Sequence, residues 1–117
     1  MTDEDRDLIA KACGMAPERQ LVLIHGTDTM VETAQRLGKA GLDKTIVFTG
    51  AMVPYAMHGS DAEFNLGFAL AAVQCLPAGV YVAMNGQVWR WDRVRKNRTL
   101  GIFETADVPS SAPASSA

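Results

Sequence analysis

The sequence predicts an α/β fold, a parallel sheet with helices on both faces. Three observations carry that expectation. Short continuous apolar runs recur at Leu21-Val22-Leu23-Ile24, Thr45-Ile46-Val47-Phe48 and Val80-Tyr81-Val82-Ala83-Met84, the pattern of strands buried on both faces. Stretches with helical apolar spacing lie before, between and after the first two runs. Each stretch is long enough to be a crossover, and strand–helix–strand connections of this kind give right-handed βαβ units.

The elements follow in order. Thr2 can cap a first helix running to about Cys13, with Asp3, Glu4 and Asp5 in the first turn and Gly14 as its stop; acidic side chains there complement the helix dipole. After the first strand, a helix from Asp28 or Thr29 to about Ala40 presents Met30, Val31, Ala34 and Leu37 on one face, and Thr29 with Glu32 has capping-box spacing. Gly41 is its expected end. The second strand leads into a loop containing Gly50, Pro54 and Gly59. Ser60 and Glu63 again have capping-box spacing, opening a helix to Cys75 or Leu76 that Pro77 terminates. That helix is apolar nearly all round, with Phe64, Leu66, Phe68, Leu70 and Val73, so it is expected to be well covered. Asp61 is expected to cap it and His58 to be solvated. After the third strand, Asn85-Gly86 marks a tight turn into a short antiparallel excursion through Trp91, and a last strand is expected near Leu100 to Phe103. The expected domain spans residues 1–104. From Thr105 the sequence TADVPSSAPASSA holds only small residues, valine and proline beside one acid, and residues 105–117 are expected to be a disordered tail.

Composition narrows the function. The 117 residues are 48% hydrophobic and 21% charged, ordinary for one globular domain. No apolar run approaches the roughly 20 residues of a membrane helix, and the acidic start MTDEDRDLIA is unlike a secretory or transit peptide. A net charge of -2 argues against general nucleic-acid binding. Cys13 and Cys75 are far apart with no CxxC, which removes disulfide scaffolds and zinc sites. Both thiols are expected to be small buried groups in a reducing cytoplasm.

In open parallel sheets ligands bind outside the carboxyl ends of the strands. That rule selects His25-Gly26-Thr27-Asp28-Thr29, Thr49-Gly50-Ala51-Met52, and Asn85-Gly86 onward to Lys96. In the first segment Gly26 permits a sharp turn. Thr27 and Asp28 either cap a helix or act as a hydroxyl activated by a base and a carboxylate that grips a cationic ligand group. In the second, Ala51 and Met52 belong to an ordinary loop or offer free backbone to a ligand. The third holds five of the eleven basic residues, Arg90, Arg93, Arg95, Lys96 and Arg98, with Trp89 and Trp91 interleaved. Such a segment can be a solvated arm anchored by its tryptophans, a stacking surface for nucleic acid, or the source of one lysine base for Thr27. Hydroxyl, lysine and carboxylate would form a variant of the hydroxyl–base–orienter triad. Spacing alone does not single out Lys96 from its neighbours.

LVLIHGTDTMVETAQRL resembles a signature of the bacterial-type L-asparaginases, a strand followed by HGTDTM and a helix. VFTGAMVP is similar to that family's strand ending in TGAM, GSDAEFNLGFALAA to its SDxxxNL helix, GVYVAMNGQVW to its GVxVxMN strand, and DRVRKNRTLGIFE to its lysine-bearing segment. The resemblance runs from Leu21 to Glu104. It implies a flavodoxin-like three-layer α/β domain that hydrolyses the side-chain amide of L-asparagine, and L-glutamine more weakly, to a carboxylate and ammonia, without a metal or organic cofactor. It assigns Thr27, Lys96 and Asp28 to a Thr-Lys-Asp triad. Asp28 also binds the substrate's α-ammonium, and Gly26 and Ala51 contribute to substrate binding. A homo-oligomer is implied, with neither nucleic acid nor membrane as partner.

The sequence also departs from that family. Members begin with a strand ending in a TGGT-type motif, whose threonine is usually assigned as the nucleophile; no such motif occurs here. Residues 1–20 match the family's helix before HGTDTM, so the first strand would lie upstream of Met1. The chain is therefore expected to be N-terminally truncated and weakly active or inactive alone. Residues 20–25 would then form an unpaired sheet edge. The alternative is a non-catalytic remnant that binds amino acids or a partner.

Overall fold

The computed structural model describes residues 1–53 and 59–106. His58 and most of the expected tail lie outside the described residues. The elements run α1 (Asp3–Met15), β1 (Gln20–Ile24), α2 (Met30–Ala40), β2 (Thr45–Thr49), α3 (Ala62–Cys75), β3 (Gly79–Met84), β4 (Gln87–Arg90), β5 (Val94–Asn97) and β6 (Ile102–Thr105). β1, β2 and β3 are parallel neighbours and β4 pairs antiparallel with β3, giving the order β1-β2-β3-β4. β5 and β6 form a separate antiparallel pair.

Strand alternation sorts the apolar residues into two cores. Ile46, Phe48, Val80, Val82 and Met84 face α1 and α2, meeting Cys13, Met30, Ala34 and Leu37. Val47, Tyr81 and Ala83 face α3, meeting Ala69 and Val73. β2 is buried at all five positions, as expected of a central parallel strand. β1 departs from the expectation of burial on both faces: its ends are exposed and its middle is half-buried. It has β2 on one side and no strand on the other among the described residues, so Val22 and Ile24 lack lateral cover, and Ile24 is 72% exposed.

The ends of the helices show which local signals hold. Thr2 caps α1 in a complete capping box, its hydroxyl accepting from the Asp5 amide at 3.2 Å while the Asp5 carboxylate accepts from the Thr2 amide at 2.9 Å. The helix runs through Gly14 to Met15, so Gly14 is not its stop. At its C-terminus the Lys44 ammonium donates to the carbonyls of Cys13 and Ala16, placing positive charge where the dipole favours it. α2 ends as expected at Gly41, which is left-handed at φ 66°. Its start differs: Thr29 is the N-cap but its side chain makes no capping bond.

α3 shows the largest correction. It is apolar on most sides, yet Phe64, Leu66 and Leu70 are exposed. Only Asn65, Ala69 and Val73 are buried along it, because the sheet covers a single face. Cys75, expected to be buried, is exposed at its end, whereas Cys13 is buried and its burial pushes the thiol's pKa up.

The Asn85-Gly86 turn forms as expected, with φ 54° and 78°, both left-handed as a two-residue hairpin of this type requires. The basic segment beyond it is an arm pinned by its tryptophans. Trp89 is buried against Phe103 and donates from Nε1 to the Thr105 hydroxyl at 3.1 Å. Trp91 packs partly buried against the α1–α2 core. β5 was not foreseen as a strand. β6 extends through Thr105, and the Ala106 amide donates to the Arg93 carbonyl at 2.9 Å, so order continues two residues past the expected boundary at 104.

Candidate functional site

The carboxyl ends of β1 and β2 bring two loops together. The His25 amide continues the β1–β2 ladder by donating to the Thr49 carbonyl at 2.9 Å. Gly50 lies so close to the end of β1 that a Cβ there would overlap the His25 carbonyl oxygen and sit 3.1 Å from Met30 Cε. Glycine is thus required at residue 50 by the close approach of two backbones. Gly26 is different. It is exposed, and a Cβ on it would meet nothing within 4 Å, so the backbone beside Thr27 borders open space.

Thr27 and Asp28 follow Gly26 immediately ahead of α2. β5 delivers Lys96 to them across nearly seventy residues. Its Nζ donates to Thr27 Oγ1 at 2.9 Å and to Asp28 Oδ1 at 2.7 Å. The lysine side chain is 11% exposed and the Asp28 side chain 83%, so a sheltered amine lies beneath a carboxylate open to solvent. The hydrogen bond from Lys96, followed by its charge, holds the Asp28 carboxyl below its ordinary value, and the Arg98 charge adds to this. Arg98 Nη2 donates to the Asp28 carbonyl at 2.6 Å, fastening the β5–β6 turn to the start of α2. The sequence marked Arg98 only as one of five basic residues; no local signal gave it this contact.

His25 holds the turn from the other side. Its Nδ1 is 2.7 Å from the Gly26 carbonyl and its Nε2 is 2.9 Å from Thr33 Oγ1. A carbonyl only accepts, so Nδ1 is the donor, and in the neutral ring Nε2 accepts from Thr33. Thr33 is fully buried on α2, which ties the ring to the helix that follows Asp28.

The second loop is framed from α3. Asp61 was expected to cap this helix. Instead its carboxylate turns back and accepts from the amides of Met52 and Val53, both at 3.1 Å. The Ser60 hydroxyl donates to the Val53 carbonyl at 2.7 Å and accepts from the Ala62 amide at 3.1 Å. Burial raises the pKa of Asp61, but the donors from Val53, Met52 and Asn65 together outweigh it and leave the group below the ordinary aspartate value of 3.8. Because the folded value is lower than the unfolded one, this support is complete above pH 3.8 and is lost as pH falls through the folded value. Amide exchange at Met52 and Val53 is therefore expected to lose protection relative to β2 as acidification passes the lowered folded value; protection that stays in step with β2 down to acid unfolding would contradict it.

Ala51 sits in this loop, half-exposed, beside an apolar hollow of 320 Å³ lined by Ile24, Thr49, Gly50, Ala51, Ala62, Glu63 and Leu66. A larger cleft of 590 Å³ is lined by residues including Arg19, Asp43 and Lys44. That is the amino end of the strands, opposite to where such sheets bind ligands. Among the described residues no group of three or more metal-ligating side chains occurs, and no helix is long and apolar enough to cross a membrane.

Residues 1–114 match the asparaginase N-terminal domain family. The chain belongs to the asparaginase family. Of its relatives, the L-asparaginase of Thermococcus kodakarensis is 34% identical over 96 residues, covering 79% of this chain and 29% of the relative. The human 60 kDa lysophospholipase is 40% identical over 78 residues, covering 64% of this chain and 14% of the relative. The solved structure of the thermostable L-asparaginase from Thermococcus kodakarensis superimposes with a TM-score of 0.84 at 30% identity, covering 93% of this chain and 35% of that one. The asparaginase-family α/β fold is thereby shown. The chain spans about a third or less of the length of these relatives.

Proposed function

We propose that these residues form the Thr-Lys-Asp part of an L-asparaginase-type amidohydrolase site. Membership of the asparaginase family supports a hydrolase, and the single observation that carries the finer reading is Lys96 Nζ bridging Thr27 Oγ1 at 2.9 Å and Asp28 Oδ1 at 2.7 Å. The exposed Asp28 carboxylate suits the α-ammonium of a zwitterionic amino acid. Once that ammonium shares Asp28, Lys96 Nζ, 2.9 Å from Thr27 Oγ1, is the group placed to act as base toward the Thr27 hydroxyl. The threonine oxygen then attacks the side-chain amide carbon. Gly26 and Ala51 border the substrate. Collapse of the intermediate returns the hydroxyl proton from Lys96 to the leaving nitrogen, expelling ammonia and leaving an ester on Thr27, which water then hydrolyses to L-aspartate and the free hydroxyl. This chemistry calls for no metal or organic cofactor. The reading includes a cytoplasmic setting, consistent with two free cysteines, and a homo-oligomer, consistent with the exposed Phe64, Leu66 and Leu70 on α3.

L-aspartate binding and ammonia release test the proposal together. The 117-residue chain is expected to bind L-aspartate measurably and to release ammonia from L-asparagine slowly, since the family's first-motif threonine is not in this sequence. Thr27→Ala is expected to remove the slow release while leaving binding largely intact. A chain that binds no L-aspartate at millimolar ligand would sink the reading. Binding with no ammonia release would favour a non-catalytic amino-acid binder.

A further inference from the structure

We infer that Asn65 is a positioning residue that holds the ligand-facing backbone at Gly50 and Ala51 against the end of β1 at His25, next to the Gly26–Asp28 turn. Asparagine is a poor choice inside a helix, where its side chain competes for backbone partners. Yet Asn65 lies within α3 and is fully buried. Its Nδ2 donates to the Gly50 carbonyl and to Asp61 Oδ2, both at 2.9 Å, and its Oδ1 accepts from the Asn85 amide at 2.9 Å. Two acceptors on one side and a backbone donor on the other fix the orientation of the amide, since the flipped group would oppose like to like at all three contacts.

These contacts reach the loops after two different strands. Gly50 follows β2 and presses on the His25 carbonyl at the end of β1, while Asn85 follows β3. Thr49 adds a parallel link by donating from Oγ1 to the Ala83 carbonyl at 2.9 Å. Asp61, which Asn65 contacts, itself holds the Met52 and Val53 amides. One side chain thus closes a frame around Ala51 and braces the turn bearing Thr27 and Asp28 through Gly50. The identity of the ligand rests on the amidohydrolase reading; the mechanical role does not.

The test uses the 117-residue chain, with L-aspartate as probe, and follows amide hydrogen exchange at Met52, Val53 and Asn85. Asn65→Leu fills similar space with no polar partner. It is expected to speed exchange at all three amides about tenfold or more and to weaken L-aspartate binding at least about fivefold. Asn65→Asp keeps an acceptor for the Asn85 amide but loses both donors and faces the Asp61 carboxylate. It is expected to leave Asn85 protected while releasing Met52 and Val53, and it serves if the leucine variant does not fold. Val73→Ala, a cavity-forming change on the buried face of the same helix, is the control. It is expected to lower Tm without this residue-specific pattern. Unchanged exchange at the three amides, the same pattern in Val73→Ala, or released loops with unaltered L-aspartate affinity would each overturn the inference. If the unaltered chain binds no L-aspartate, the amidohydrolase reading fails, and the exchange pattern alone decides whether Asn65 holds the loops.

Discussion

Asp28→Ala is expected to weaken L-aspartate binding about 10- to 100-fold, the size of effect that follows from truncating one partner of a hydrogen-bonded charge pair. The carboxylate is largely exposed, which places the expectation below what a fully desolvated pair would give. Two consequences of the substitution add together. The ligand's ammonium loses its counter-charge, and Lys96, sheltered and bonded to Asp28 Oδ1 at 2.7 Å, loses that partner and keeps the Thr27 hydroxyl. An unopposed cation then faces the incoming ammonium. Asp28→Asn separates charge from shape, because it retains an acceptor at similar distance; if charge is the cause, it should lose nearly as much affinity as the alanine. Asp92→Ala is the control, since its ion pair with Arg90 lies elsewhere on the hairpin arm. Isothermal titration of the three variants measures the difference, and an Asp28→Ala chain that binds L-aspartate within about twofold of the original would remove Asp28 from the site.

The alternation of apolar runs with helical stretches was enough to place the three parallel strands and both crossover helices, because burial on two faces leaves a continuous hydrophobic record in β2 and β3. Asn85-Gly86 announced its turn for an equally local reason, two left-handed residues in succession. What remained illegible was set by distant partners. Capping-box spacing read alike at Thr29 and Ser60. The Thr29 side chain makes no capping bond and the Ser60 hydroxyl reaches Val53 across the loop, while a full box closes at Thr2, where the sequence suggested only a cap. The apolar residues of α3 do not say how many of its faces are covered, so Leu66 and Leu70 read as core and stand exposed. At the candidate site, Thr27 and Asp28 could be singled out by their position after a strand. Lys96 could not be separated from four neighbouring cations without the family resemblance, since the distance across almost seventy residues is settled by how β5 folds back over α2. Arg98 and Asn65 were missed for the same reason: each acts through backbone atoms of another segment, and no sequence pattern encodes which carbonyl a side chain will reach.

Two helical glycines show how the same substitution can change sign on this fold. In a helix interior, Gly→Ala ordinarily stabilises by about 0.5–1 kcal/mol because alanine loses less backbone freedom on folding. Gly67 on α3 is exposed, with nothing within 4 Å of a Cβ, and Gly67→Ala is expected to show that gain. Gly38 lies on α2 directly against Trp91, and a Cβ there would fall under 3.0 Å from the indole ring. The ring is a flat, partly buried wall packed on the core, and its own amide is tied to the Val80 carbonyl at 3.0 Å, so it has little freedom to withdraw. Overpacking of this kind costs about 1–3 kcal/mol, more than the propensity gain, and Gly38→Ala is expected to lower stability. For a domain of this size each kcal/mol corresponds to roughly 4 °C in Tm, so thermal unfolding should separate the two variants clearly and in opposite directions. The displacement also has a direction. Trp91 anchors the turn between β4 and β5, five residues before Lys96, so moving the ring outward draws the amine away from Thr27 and Asp28. Gly38→Ala is therefore expected to weaken L-aspartate binding as well as stability, whereas Gly67→Ala leaves binding unchanged. If Gly38→Ala raised Tm as Gly67→Ala does, the packing of Trp91 on α2 would be refuted, and with it the account of how the arm holds its lysine in place.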